Sequence, residues 1–239
     1  LTRFVIPIEE QPATSLPASS ANSNTNINSN ITSDASKPEE GLVIPKNITK
    51  TDMSYKSENI EITVTKKRLY DSDCFIADVI LKDASLLKTA FGQDKFGSGF
   101  TENPVKLANR YNAILAINGD LYGWVKTGVI IRNNVLYRYQ PTNIDMVAFF
   151  KDGTMKSINE MTLKTKDDAI KLVESGVKDT FCFGPALIKD GVMRTDFSNE
   201  NLEHVNPRTG IGMIEKNHFI IIVVDGRTSY NAGVSFEDF

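Results

Sequence analysis

Apolar and polar residues alternate over residues 60–65 (IEITVT), the pattern of a strand with one face against a core. Residues 75–81 (FIADVIL) predict a second strand. Two runs abandon the alternation: residues 113–117 (AILAI) and 219–224 (FIIIVV) are apolar throughout, which predicts strands buried on both faces. Between apolar stretches lie Asn133-Asn134, Asp152-Gly153, Asp190-Gly191 and Lys216-Asn217, residues that accept the positive φ of tight hairpins. Helices are predicted over residues 103–111 and 165–175, the second opened by Thr165 with Asp168 three positions later, as in a capping box. The fold class is therefore α+β, with a mixed, largely antiparallel β-sheet core and a few helices. Ser235-Phe236-Glu237-Asp238 reads as an N-cap and an acidic first turn. With only Phe239 after it, that start signal leads to the expectation of a chain cut short.

Composition divides the chain in two. Residues 11–33 carry no charge and consist mostly of Ser, Asn, Thr, Pro and Ala, too little apolar material to offset the entropy of ordering. Residues 1–58 are expected to be a linker or stalk following an anchor or signal, and residues 59–239 the folded domain. No apolar run reaches the roughly 18 residues of a membrane span, so membrane contact is expected only through an anchor outside this chain. The expected location is extracellular or at the cell surface. With 27 Lys+Arg against 30 Asp+Glu and no basic block, nucleic acid is not an expected partner. Only His204 and His218 are present, which excludes a zinc centre of three imidazoles. Cys74 and Cys182 form no CxxC motif; they either pair or lie buried as small apolar residues.

Three segments add polar groups that strands do not need. Asn118-Gly119-Asp120-Leu121-Tyr122-Gly123 follows the first apolar run, and a plain Asn-Gly turn would require neither Asp120 nor Tyr122. Asn206-Pro207-Arg208-Thr209-Gly210 presents in Arg208 a planar fork of donors suited to phosphate or carboxylate; the alternative is a surface arginine in a turn. The second apolar run ends in Asp225-Gly226-Arg227, which reads as a carboxylate and a guanidinium at a sheet edge or as a simple hairpin turn.

In order, SLLKTAFGQDKFG (85–97), AINGDLYG (116–123), GVIIRNNVLYR (128–138), FGPALIKDG (183–191), NPRTGIG and VVDGR resemble the bacterial members of the phosphodiester glycosidase family. The family's animal member removes GlcNAc from GlcNAc-1-phosphodiesters. Two departures stand out: Asn118-Gly119-Asp120 replaces an Asn-Gly-Gly, and the family's later Asn-Leu-Asp-Gly-Gly-Gly-Ser stretch does not occur here.

The resemblance implies a hydrolase that cleaves the glycosidic bond of a sugar-1-phosphodiester to release the sugar, acting on a glycosyl phosphate or polysaccharide. Asp225 is then the expected base or nucleophile, with Asp120 second, and Arg208 neutralises the departing phosphate together with Arg227. Asn118, Gly119, Gly184, Asn206 and Thr209 would bind substrate, and His204 could donate to phosphate. No cofactor is required, although an oxygen-only Mg²⁺ or Ca²⁺ site could use Asp120 and Asp225. The competing readings are a non-catalytic carbohydrate-binding module at the cell surface and a metal-assisted phosphoesterase.

Overall fold

Alternation and turn chemistry account for most of the architecture in the computed structural model, which describes residues 47–195, 197 and 204–239. The polar tract at residues 11–33 lies outside them. A sheet of six antiparallel strands holds β1 (Thr49–Thr51), β2 (Ser54–Lys56), β3 (Ile60–Leu69), β4 (Ser72–Leu81), β12 (Arg208–Glu215) and β13 (His218–Val224). Their order is β1-β2-β3-β4-β13-β12, so β13 is an interior strand next to the edge, fully buried on one face and half-buried on the other over most of its length. The sheet begins at Thr49, ahead of the boundary expected at residue 59. Tyr55 of β2 is buried in the core, which ties that hairpin to the domain.

One face of this sheet carries Ile62, Val64, Ala77, Val79, Phe219, Ile221 and Val223. It packs on a second sheet, β8 (Met155–Asn159), β7 (Asp145–Phe150) and β9 (Val177–Phe181), chiefly through Phe149. That ring lies edge-on to Phe181 at 5.9 Å and tilted to Phe219 at 6.0 Å. The hairpin β5 (Gly128–Arg132) and β6 (Val135–Gln140) lies beside β9 without a backbone ladder. In its place the Thr180 hydroxyl accepts from Ile131 N at 2.9 Å and donates to Val129 O at 2.6 Å. Helix α2 (Lys166–Glu174) covers this layer through Ala169 and Leu172, and its Thr165–Asp168 capping box is fully formed. Helix α1 (Pro104–Arg110) starts at Asn103, whose side chain accepts from the amides of Val105 and Lys106. A short hairpin, β10 (Ile188–Lys189) and β11 (Val192–Met193), completes the element list.

All four expected hairpins form. Asn133 and Asn134 adopt φ of 49° and 66°, Gly153 87°, Asp190 and Gly191 52° and 77°, and Asn217 63°. The expected fold class holds in its coarser part: every described strand pairing is antiparallel and the described residues hold only two α-helices, so the largely antiparallel core with few helices is present and the protein is mainly β. One expectation needs correction, since residues 113–117 form no strand. Ile114, Leu115 and Ile117 pack onto the core of the six-stranded sheet, but no neighbouring strand offers a ladder, and the segment stays irregular. Cys74 is buried and Cys182 half-buried, both as free thiols.

Candidate active site

Strand alternation sorts the expected residues onto two faces of the large sheet. Across the β12–β13 ladder Thr209 faces Val223 and Arg208 faces Val224. Val223 belongs to the inner core, whereas Val224 packs with Val234 and Phe239 on the outer face. Thr209 therefore points inward, where its hydroxyl donates to Asn118 Oδ1 at 2.8 Å. Arg208 points outward. Its guanidinium stacks 3.6 Å from the Phe236 ring centre, and its Nε and Nη2 donate to the carbonyls of Val234 and His204 at 3.0 and 2.7 Å. Burial lowers its pKa from the ordinary 12.5. Asn118 and Thr209 are thus brought together, while Arg208 leaves β12 on the opposite side, where it borders the rim of the same cleft.

Asp225 continues the ladder past β13, its amide donating to Asp73 O at 3.0 Å, and alternation returns its side chain to the inner face. The half-buried carboxylate accepts no hydrogen bond from any described residue. Arg227 takes φ of 60° and donates from Nη2 to Asn206 Oδ1 at 2.8 Å. Asn206 in turn pairs with Val234 through both backbone groups and donates to the carbonyl of His204. Asp225 therefore extends the ladder, and the chain turns back at Arg227, with the Thr228 amide donating to Asn231 O at 2.9 Å.

Asp120 has a different environment. Its side chain is 1% exposed, its Oδ1 pairs with Arg132 Nη2 at 2.8 Å, and its Oδ2 accepts from Cys182 N at 2.9 Å. Arg132 also lies 4.1 Å from the Phe181 ring centre and donates to the carbonyls of Thr180 and Ile131. A carboxylate so enclosed fixes the loop that carries Asn118. Gly119 lets that loop settle on Phe181, since a Cβ there would meet the ring at 2.8 Å. Gly184 is similarly constrained, for a Cβ would sit 2.5 Å from Asp145 O. Beside Asp120, burial and the nearby Glu160 carboxylate push the Cys182 thiol far above its ordinary 9.0.

The sequence reading missed a charged cluster next to Asp225. Inward positions of β3 run Ile62, Val64, Lys66, Arg68, so the phase that builds the core ends in two cations. Lys66 Nζ reaches Asp73 Oδ2 at 2.9 Å, and Arg68 Nη1 reaches Asp73 Oδ1 at 3.4 Å. Arg68 also donates to Asn231 Oδ1 and to Tyr230 O, at 2.8 and 2.6 Å. Hydrogen bonding to Lys66 and then to Arg68 holds the Asp73 carboxyl below its ordinary 3.8; the same bond raises Lys66 above 10.5. The legible signal was charge at a core-facing phase of an otherwise apolar alternation.

These groups border an open groove of about 2370 Å³, mainly apolar in its body and polar where Asn118, Thr209, Asp225, Arg227 and Asn231 meet. It exceeds the roughly 300–1,000 Å³ of a fitted small-ligand pocket and is a cleft between layers. Gly184 lines the same cleft. Among the described residues, no group of three His, Cys, Asp or Glu side chains is arranged to hold a metal ion.

Fold and site together define a layered antiparallel β protein with a polar cleft at one end of its main sheet. The chain belongs to the phosphodiester glycosidase family, whose model matches residues 111–239. It is 32% identical over 155 residues to the SPbeta prophage-derived uncharacterized protein YomE of Bacillus subtilis strain 168. That match takes in 60% of this chain but only 23% of the relative, so the chain spans just under a quarter of that protein's length. A crystal structure of a hypothetical protein from Synechocystis superposes with a TM-score of 0.54 at 12% identity, over 76% of this chain and 53% of that one. The catalytic domain of zebrafish N-acetylglucosamine-1-phosphodiester alpha-N-acetylglucosaminidase, auto-inhibited by its pro-peptide, gives a TM-score of 0.39 at 13% identity, over 74% and 64% of the two chains.

Proposed function

We propose that the chain contributes the substrate cleft of a hydrolase that cleaves the glycosidic C–O bond of a sugar-1-phosphodiester. The observation that carries this reading is Asp225, a carboxylate at the polar end of the cleft that accepts no hydrogen bond from any described residue, in a chain of this family. Water adds to the anomeric carbon and gives its proton to Asp225. The C–O bond breaks with its electron pair passing to the phosphate oxygen, leaving free sugar and a phosphomonoester. A phosphate leaves more readily than an alkoxide, so the demand for a general acid is smaller than in ordinary glycosidases.

Asn118 and Thr209 hold sugar hydroxyls, and Arg227, at the exposed rim with Asn206, meets the phosphate. Asp120, Gly119 and Gly184 shape the walls. Arg208, on the outer face, supports the site by anchoring the segment around Val234. An extracellular setting suits the uncharged tract at residues 11–33, which would act as a spacer.

The test is product analysis with a GlcNAc-1-phosphodiester in H₂¹⁸O. Label in the released sugar supports the reading. Label in phosphate, with GlcNAc-1-phosphate as product, identifies a phosphoesterase instead, and binding without turnover identifies a carbohydrate-binding module. Asp225→Asn is expected to lower the rate at least about 100-fold; an unchanged rate removes Asp225 as base.

A further inference from the structure

Trp124, the only tryptophan in the chain, is 80% exposed. Indoles are highly buried on average, so one standing almost free on a fixed loop presents a large rigid apolar face to solvent. The loop is fixed. Arg138 spreads its guanidinium over three of its carbonyls, donating to Tyr122 O at 2.9 Å, Val125 O at 2.8 Å and Thr127 O at 3.0 Å. Trp124 N donates to Leu121 O at 2.9 Å, closing a turn immediately before the indole. Gly123 packs against Gly97, where a Cβ would lie 3.1 Å from the carbonyl oxygen. Inside, the Tyr122 ring is held by Phe91 at 5.2 Å and stacked on Phe96 at 5.5 Å. Both neighbours of Trp124 are pinned through their backbone, and the indole is left outside.

The same loop is continuous with the cleft, since Leu121 and Tyr122 line it together with Asn118 and Asp120. We infer that Trp124 is a stacking platform for a pyranose ring of an extended glycan, beyond the sugar whose bond is cleaved. The apolar face of a pyranose matches an indole in shape, and a rigid platform adds affinity without paying for loop ordering. Leu121 and Val125, both exposed, widen the apolar surface on either side. The inference rests on the proposed carbohydrate function and assigns that site a polymeric substrate.

Because the chain has one tryptophan, its emission reports on this loop alone. Titration of the protein with tetra-N-acetylchitotetraose is expected to blue-shift the emission and saturate, while free GlcNAc gives a much weaker response. In turnover assays, Trp124→Ala is expected to raise KM for a tetrasaccharide-1-phosphodiester about tenfold more than for the single-sugar phosphodiester, with Trp124→Phe recovering part of the loss. Emission that ignores the tetrasaccharide, or KM values that change equally for both substrates, would overturn the inference while leaving the hydrolase reading in place. Emission that shifts with protein concentration and not with sugar identifies a contact between copies, which also overturns it. If neither phosphodiester is cleaved, the function proposed above fails, and the fluorescence titration still decides the role of Trp124.

Discussion

The hydroxyl of Thr209 donates to the side-chain oxygen of Asn118 across 2.8 Å, joining two segments that lie 91 residues apart in sequence. The bond fixes the direction of the Asn118 amide at the head of the cleft. Thr209→Val keeps the shape and removes the donor. Because the pair is exposed, its melting temperature is expected to change by no more than about 2 °C. Turnover of a sugar-1-phosphodiester is expected to fall about tenfold or more. Paired melting curves and rates separate the two effects.

The Asp120–Arg132 pair makes the opposite prediction. Both side chains are almost wholly enclosed, so removing one partner strands a buried charge. Arg132→Met is expected to lower unfolding free energy by about 3–5 kcal/mol in denaturant titration, with activity lost through the fold. Combining it with Asp120→Asn is expected to recover part of that loss, because the stranded charge disappears.

Asp73 links pH to the loop beside Asp225. Its folded pKa lies below the ordinary 3.8, through Lys66 and Arg68, so its contribution is present above that value and is lost as pH falls through the lower folded one. Thermal melting between about pH 5 and pH 2 is expected to fall more steeply in the parent than in Asp73→Asn. Parallel curves would show that the network adds nothing.

Gly184→Ala tests close approach. A methyl group would sit 2.5 Å from the Asp145 carbonyl oxygen, and backbone yields less easily than a side-chain tip. A loss of about 1–3 kcal/mol is expected in chemical denaturation. Gly184 lies outside the positive-φ region, so the loss reports the close approach alone.

Neither thiol is expected to react with an aromatic disulfide reagent at pH 8 before unfolding. Desolvation raises both above the ordinary 9.0, which keeps the reactive thiolate scarce. Rapid labelling of Cys182 in the native protein would contradict its enclosed position.

Local chemistry was the legible part of the sequence. Asn133-Asn134 and Thr165 with Asp168 each carry their own turn or cap, so the hairpins and α2 could be read without knowing what packs on them. The irregular path of residues 113–117 could not, since apolarity records burial and not the presence of a ladder partner. The site was half legible for a related reason. Arg208 and Thr209 are adjacent in sequence, yet alternation sends them to opposite faces, and only the inward phase of Val223 shows which faces the core. Lys66, Arg68 and Asp73 share the β3–β4 hairpin, but the network closes only through Asn231, 163 residues beyond Arg68, and carries no motif.

Side chains do most of the joining of β5 to β9: the Thr180 hydroxyl, the Arg132 guanidinium and, at the turn, the Asp179 carboxylate. Ordinary ladders spread their strength over many rungs, but here the amide of Ile131 is protected by Thr180 alone, on a side chain that can rotate. The middle layer thus has a seam held by side-chain torsions more than by rungs of backbone. Slow hydrogen exchange at Ile131 would measure how firmly the Thr180 torsion is locked by the surrounding core, and therefore whether the layer breathes as one body or two.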